Sequence, residues 1–246
     1  MDRSCKIIGV IPARYNSTRL PGKPLREICD RSMILHVCDQ VEKSKLISKV
    51  IVATDDKRIF DHLVANNKTV IMTAQDINSG TDRCWEAVKD LNCDIVVNIQ
   101  GDEPLIDPSV IDKTVEELVR SSDAVCSTPV KKISERAELD NMNVVKAVMD
   151  KNNNAMYFSR SEIPSNRVTT DIKYKHIGLY CYKFGFLKKY VEMDRTPNEI
   201  AESLEQLRIL ENGYKIKCVE VDYDSIGVDT EEDLEKVEAI LRKREY

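Results

Sequence analysis

One short segment carries a dense set of charged and polar groups. Pro12-Ala13-Arg14-Tyr15-Asn16-Ser17-Thr18-Arg19-Leu20-Pro21-Gly22-Lys23-Pro24 sets two arginines, a lysine, two small hydroxyl residues and a glycine close together. Arginine and lysine side chains, with backbone amides around Gly22, can wrap a polyphosphate. The spacing is neither the GxxxxGK[ST] phosphate loop nor GxGxxG. A solvated basic loop is the plain alternative.

Four further segments hold groups of chemical interest. Asn98-Ile99-Gln100-Gly101-Asp102-Glu103-Pro104 ends an apolar run. An aspartate there can hold Mg²⁺, an ion that takes one or two carboxylates and completes its shell with phosphate oxygens and water. A turn aspartate ahead of a proline is the alternative. In Gly227-Val228-Asp229-Thr230, Thr230 caps a last helix and Asp229 sits just outside it. Taken alone, Asp229 is a helix-leading acid. In Ser79-Gly80-Thr81-Asp82-Arg83, Ser79 and Asp82 form a capping box that puts Arg83 in the first helical turn. A cation there opposes the helix dipole unless it meets an anion, which a nearby acid or a ligand could supply. In Glu202-Ser203-Leu204-Glu205-Gln206-Leu207-Arg208, helical spacing puts Ile200, Leu204, Leu207 and Leu210 on a core face. Glu205 then points nearly opposite and Gln206 lies at the margin. The bland reading pairs Glu205 with Arg208 at i+3 on a wet surface.

These groups need a scaffold, and the hydrophobic pattern supplies one. Lys6–Ile11, Val50–Ala53, Thr69–Met72 and Asp94–Ile99 are short apolar runs suited to strands buried on both faces. Helical spacing follows each: Ser32–Val41, the stretch through Ile59 and Leu63, Ser79–Leu91 and Pro108–Val119. Four strand-then-helix units in series predict a parallel sheet flanked by helices. The basic loop then lies at the carboxyl end of the first strand, where open α/β sheets bind ligands. After about residue 122 the rhythm changes. Ala124–Val130, Val144–Met149 and Tyr174–Tyr182 are predicted as strands without full helices between them, an antiparallel extension. Asn152-Asn153-Asn154 signals a turn and Ser165–Asp171 a polar loop. A helix is predicted from Thr196-Pro197-Asn198-Glu199, a capping box with Pro in the first turn, to Asn212-Gly213. Lys215–Val219 is a strand, and the last helix runs through Leu234, Val237 and Leu241.

Composition bounds the function class. The chain has 246 residues, 42% hydrophobic and 32% charged, the balance of a globular protein. It is expected to form a single α/β domain over 1–246, with 124–182 as the strand-rich extension. No run approaches a membrane span, and no signal-peptide core precedes the first strand, so neither secretion nor a membrane partner is expected. The net charge of −5 argues against a nucleic-acid partner. Residues 1–26 nevertheless carry six basic residues against one acid, which suggests a small anionic ligand held locally. The eight cysteines include no CxxC pair and mostly fall in apolar runs. They read as small buried hydrophobes of a reducing cytosol rather than disulfides or nucleophiles.

The motifs, in order, resemble the 3-deoxy-manno-octulosonate (Kdo) cytidylyltransferase, or CMP-Kdo synthetase, family over nearly the whole chain. Ile11–Leu25 is similar to its nucleotide-loop signature. Ala53-Thr54-Asp55-Asp56, Ser79–Arg83, Asn98–Pro104, Tyr157-Phe158-Ser159-Arg160, His176-Ile177-Gly178-Leu179-Tyr180, Leu204–Arg208 and Gly227–Thr230 match further motifs. The resemblance implies a nucleotide-diphospho-sugar-transferase-like α/β fold, mainly parallel, with an antiparallel extension through which the chain forms a cytoplasmic homodimer. It implies transfer of CMP from CTP to the anomeric hydroxyl of Kdo with release of pyrophosphate, a step in lipopolysaccharide biosynthesis. Pro12, Ala13, Arg14, Ser17, Arg19, Lys23 and Gln100 would bind CTP. Lys23, Asp102 and Asp229 would be catalytic, with the two aspartates on Mg²⁺. Arg83, Gln100, Arg160, His176, Tyr182, Glu205 and Gln206 would contact the sugar. His176 would otherwise be a satisfied strand histidine, while His36 and His62 fall on helices outside every motif. Phosphoryl transfer relies on positioning and charge neutralisation, which suits a chain without a nucleophilic Ser or Cys constellation. The family commonly has a basic residue and a histidine where Ala74 and Asn78 stand, and an aromatic after Ile163-Pro164 where Ser165-Asn166 follow. These differences flank the implied sugar pocket, so 8-amino-Kdo or a nonulosonic acid is an alternative substrate. A catalytically silent nucleotide sensor is the alternative outside enzymes.

Overall fold

A computed structural model describes residues 5–17, 19–77, 79–168 and 172–244. Thr18, Asn78 and the end of the polar loop, 169–171, lie outside the described residues. The chain divides into two compact units, Met1–Asp112 with Ser225–Tyr246, and Lys113–Asp224. Among the described residues no helix is long and apolar enough to cross a membrane.

The first unit opens on β1 (Ile7–Ala13), followed by the two-stranded hairpin β2 (Glu27–Ile28) and β3 (Arg31–Ser32). The chain continues as α1 (Met33–Val41), β4 (Lys49–Thr54), α2 (Lys57–Ala65), β5 (Val70–Met72), α3 (Gly80–Val88) and β6 (Ile95–Asn98). The four long-range strands pair in parallel, in the order β5-β4-β1-β6, as the repeated strand–helix pattern predicts. Val10, Ile11, Ile51, Val52, Val96 and Val97 are fully buried, which explains why these strands read as continuous apolar runs rather than alternating ones. Register sets the site. Ala13 pairs with Thr54, and Val10 with Asn98, so three strands end close together. Gly101 is required there, because a Cβ on it would stand 2.9 Å from the Pro12 carbonyl oxygen.

Helix α4 (Pro108–Arg120) leads into the second unit. Its elements are β7 (Ala124–Lys132), α5 (Arg136–Asp140), β8 (Lys146–Met149), β9 (Ala155–Ser159), β10 (Tyr174–His176), β11 (Tyr180–Lys183), α6 (Phe184–Val191), α7 (Pro197–Glu202), α8 (Leu207–Glu211) and β12 (Lys215–Glu220). Strands β10 and β11 both pair antiparallel with β7, β10 with β8 and β8 with β9, while β12 runs parallel to β7. The predicted strand Tyr174–Tyr182 is therefore two strands. Leu179 N–H turns back to the Ile177 carbonyl, 2.8 Å, and breaks the strand after Ile177, whose own N–H still reaches the Pro129 carbonyl of β7.

The predicted single helix from Thr196 to Asn212 is also two. Ser203 adopts a left-handed conformation, φ 52°, and ends α7. Ile200, expected on the core face, is 56% exposed, while Gln206 is 2% exposed. Arg208 reaches back to α7. Its Nε and Nη2 donate to Glu199 at 2.8 and 2.5 Å, and both residues are buried. The same Glu199 accepts from the Thr196 N–H at 3.2 Å, as the capping box predicts. The chain then returns to the first unit with α9 (Glu231–Arg244), whose Leu234 and Val237 pack with Leu20, Ile28, Met33 and Val228.

Candidate active site

The basic loop leaves β1 at Ala13 and folds back on itself. Gly22, at φ +68°, donates its N–H to the Tyr15 carbonyl at 3.1 Å, and Leu20 anchors the loop in the core at 1% exposure. A short 3₁₀ turn from Lys23 then aims the lysine inward. Its Nζ donates to Asp102 Oδ2 at 2.6 Å and to Asp229 Oδ1 at 3.0 Å. The carboxylates come from residues far apart in sequence, and a backbone bond from Val228 N–H to the Asp102 carbonyl, 2.9 Å, aligns their segments. Burial alone would lower the Lys23 pKa, but Asp102 and Asp229 raise it above its ordinary value. Arg19 donates to Asp229 Oδ2 at 2.9 Å from an exposed position. It braces the second aspartate and is not among the residues lining the cleft.

Beside this bridge lies a cleft of about 310 Å³. Pro12, Ala13, Arg14, Ser17, Lys23, Gln100 and Asp102 line it, seven of the residues singled out in the sequence. Asn16, Pro24, Gly80 and Gly101 also line it and were not singled out as ligand residues. Their signal was adjacency to named residues and, for Gly80, its place at the start of α3. That helix begins as predicted, with Ser79 Oγ accepting from Asp82 N–H at 3.0 Å. Its partly positive N-terminus faces the cleft through Gly80. Arg14 donates to the Ile77 carbonyl.

Two hard carboxylates converge on one cationic atom here, and no group of three or more His, Cys, Asp or Glu able to hold a metal occurs among the described residues. Two carboxylates beside a cleft, with room for ligand oxygens, is a donor set that fits Mg²⁺.

Arg83 takes the nearby-acid alternative. Its side chain is fully buried, with Nη2 donating to Asp55 Oδ2 at 2.8 Å and Nη1 to Thr73 Oγ1. Burial lowers its pKa; Asp55 raises it and the neighbouring Arg14 lowers it again, with a net shift downward.

The other sugar-contact candidates belong to the second unit. Arg160 donates Nε to the Glu202 carbonyl at 2.8 Å, Nη1 to Met142 O at 3.2 Å and Nη2 to Ser203 O at 3.4 Å. These acceptors are all main-chain carbonyls, so the guanidinium is oriented while, among the described residues, no carboxylate pairs with its charge. His176 Nε2 lies 2.8 Å from Thr128 Oγ1, and that hydroxyl donates to Leu179 O at 2.7 Å. The ring therefore donates from Nε2. Burial holds its pKa down to about 3, so it is neutral. Rings of His176, Tyr180, Tyr182 and Tyr190 follow one another at centroid spacings of 5.3, 5.9 and 6.1 Å. Tyr182 is buried within this row at 1% exposure. Tyr190 donates to the Glu205 carbonyl, and Tyr180 to Gln206 Oε1 at 3.1 Å. The buried Gln206 Nε2 has no hydrogen-bond partner among the described residues, an amide still in need of an acceptor.

Residues outside the candidate set behave as expected. His36 bonds the Ile28 carbonyl and His62 the Ser32 hydroxyl. None of the eight cysteines, all among the described residues, is in a disulfide, and six are buried.

A parallel sheet with a cationic loop and paired carboxylates at its strand ends has close counterparts among known proteins. The family model for cytidylyltransferases matches residues 8–216. The 4-diphosphocytidyl-2C-methyl-D-erythritol synthase of Anaerococcus prevotii shares the fold, with a TM-score of 0.64 at 18% identity over 97% of this chain and 99% of that one. A solved CMP:2-keto-3-deoxy-manno-octonic acid synthetase, complexed with CTP, superposes with a TM-score of 0.93 at 39% identity over 97% of this chain and 99% of its own. Fold and cleft thus define an α/β cytidylyltransferase. The 3-deoxy-manno-octulosonate cytidylyltransferase of Solibacter usitatus is 46% identical over 96% of this chain and 95% of its own. The mitochondrial one of Arabidopsis thaliana is 44% identical over 97% of this chain and 84% of its own. The chain belongs to the 3-deoxy-manno-octulosonate cytidylyltransferase family.

Proposed function

We propose that the protein joins CTP to Kdo, forming CMP-Kdo and pyrophosphate, as a Mg²⁺-dependent cytoplasmic homodimer. The observation that carries this reading is the Lys23 bridge between Asp102 and Asp229 at a cleft lined by Arg14 and Ser17. Arg14, Ser17 and Lys23 bind the triphosphate, with the α3 N-terminus adding partial positive charge. Pro12, Ala13 and Gln100 shape the rest of the nucleotide site. Asp102 and Asp229 would hold Mg²⁺, whose chemistry when bound would be to neutralise phosphate charge. As the bond from the anomeric oxygen to the α-phosphorus forms, the bond to pyrophosphate breaks and the hydroxyl proton leaves to solvent. Within the second unit, Arg160 offers a cation to the sugar carboxylate and Gln206 an amide to a hydroxyl. His176, neutral and aimed by Thr128, takes part by hydrogen bonding and not by charge.

Support for the homodimer lies in the strand-rich stretch. Met142, Met156, Val168 and Ile172 expose 60–70% of their surface there. A cytoplasmic setting suits eight cysteines outside any disulfide.

The test is pyrophosphate release with CTP and a panel of sugar acids: Kdo, 8-amino-Kdo and a nine-carbon nonulosonic acid. Kdo is expected to turn over best, and CTP to be strongly preferred over ATP and GTP. Faster turnover of another acid reassigns the sugar. Comparable turnover with ATP removes the cytidine reading. No release with any acid, despite CTP binding, leaves a silent nucleotide sensor.

A further inference from the structure

Asp55 and Asp56 follow Thr54, the last residue of β4, and the two aspartates do different things. Asp55 holds Arg83. Asp56 caps α2 by accepting the Arg58 N–H at 2.9 Å. The same carboxylate takes the Arg58 guanidinium side-on, Nε to Oδ1 at 2.9 Å and Nη2 to Oδ2 at 2.7 Å. Held in this fork, the guanidinium carbon sits 3.2 Å from the centre of the Tyr15 ring. Tyr15 is the residue on which the basic loop closes. Its carbonyl accepts from Gly22 N–H, and its ring end is so near Gly22 that a Cβ there would stand 3.0 Å from the phenol oxygen. The loop between them carries Ser17, and Lys23 follows directly.

We infer that Arg58, oriented by Asp56 and stacked on Tyr15, is a positioning residue that pre-orders the nucleotide loop for the CTP triphosphate. The physical case is entropic. A loop of small polar residues and glycine loses conformational freedom when it wraps phosphates, and that loss weakens binding. A planar cation clamped at both ends, by a bidentate carboxylate below and a ring above, removes part of the freedom before the ligand arrives. Neither Arg58 nor Tyr15 is among the residues lining the cleft, so the effect travels through the loop. The inference rests on the cleft being the CTP site.

The experiment is calorimetric titration of CTP with Mg²⁺ into the full chain without sugar, followed by steady-state kinetics. Arg58→Gln and Tyr15→Leu are each expected to raise the CTP Kd about two- to fivefold, as the loss of one exposed cation–π contact would. Both are expected to leave the KM for Kdo and kcat at saturating CTP within about twofold. Asp56→Asn keeps a good helix cap but not the bidentate charge, and is expected to weaken CTP binding in the same direction. Tyr15→Phe keeps the ring and is expected to retain the wild-type Kd. The Arg58→Gln/Tyr15→Leu double variant is expected to match the worse single one, since the pair acts as a unit. Unchanged CTP affinity in folded Arg58→Gln and Tyr15→Leu would overturn the inference while leaving CTP binding intact. So would equal losses in kcat and both KM values with lowered melting, the mark of general destabilisation. Failure of the wild-type chain to bind CTP would overturn the functional reading, and this inference with it.

Discussion

Asp229 separates a structural role from a chemical one. As a helix-leading acid its loss would cost about 0.3–1 kcal/mol of stability. As one of two carboxylates at Lys23 Nζ, it completes a charged site with Asp102. Asp229→Asn keeps the shape and removes the charge. Melting is expected to stay near normal while turnover falls at least about 100-fold, roughly 2.7 kcal/mol. Near-wild-type turnover of the folded variant at limiting Mg²⁺ would return Asp229 to the helix end. His176 gives a second prediction at this scale. Its pKa is lowered from 6.5 to about 3 by burial. Between those values the unfolded chain binds more protons than the folded one. The stability due to the neutral ring is therefore complete above about pH 6.5 and is lost as pH falls toward 3. Urea midpoints of wild type and His176→Gln are expected to converge as pH drops from about 7.5 to about 4.5. A pH-independent gap would mean that the ring's burial is not linked to protonation.

Among the elements, the break between α7 and α8 has the clearest energetic consequence. Apolar spacing alone predicted one helix, because Ile200, Leu204, Leu207 and Leu210 fit a single face. The left-handed Ser203 turns the chain so that Arg208 reaches Glu199 with both residues buried. Glu199→Ala strips the guanidinium of its carboxylate and removes the group that caps Thr196. A loss of about 3 kcal/mol is expected, the scale for orphaning a buried charge. The check is a urea melt with m unchanged. A loss under about 0.5 kcal/mol would mean the pair contributes little to stability. Other elements were missed by pattern altogether. Strand β9 is only five residues, and α6 begins straight from β11 without a capping side chain. Elements that short, or without a terminal signal, leave little local signature.

At the scale of the whole molecule, the exposed methionines and aliphatic residues between 142 and 172 bear on assembly. Light scattering at micromolar concentration is expected to return about twice 28.1 kDa. A mass of one chain would remove the homodimer from the proposal. The parallel core, the loop after β1 and the caps of α3, α7 and α9 were legible in the residues themselves. Strand burial, helix periodicity and capping are encoded within a few neighbouring positions. Seven cleft-lining residues could be named for the same reason, since they sit in two compact segments at strand ends. What charges pair with could not be read that way. Arg83 with Asp55, Arg208 with Glu199, and Lys23 with two aspartates 79 and 206 positions away are choices among many acids of a chain with 42 of them. Only tertiary structure made those choices. A Coulomb contact has no sequence period, and its partner is whichever carboxylate the packing of distant segments brings within about 3 Å.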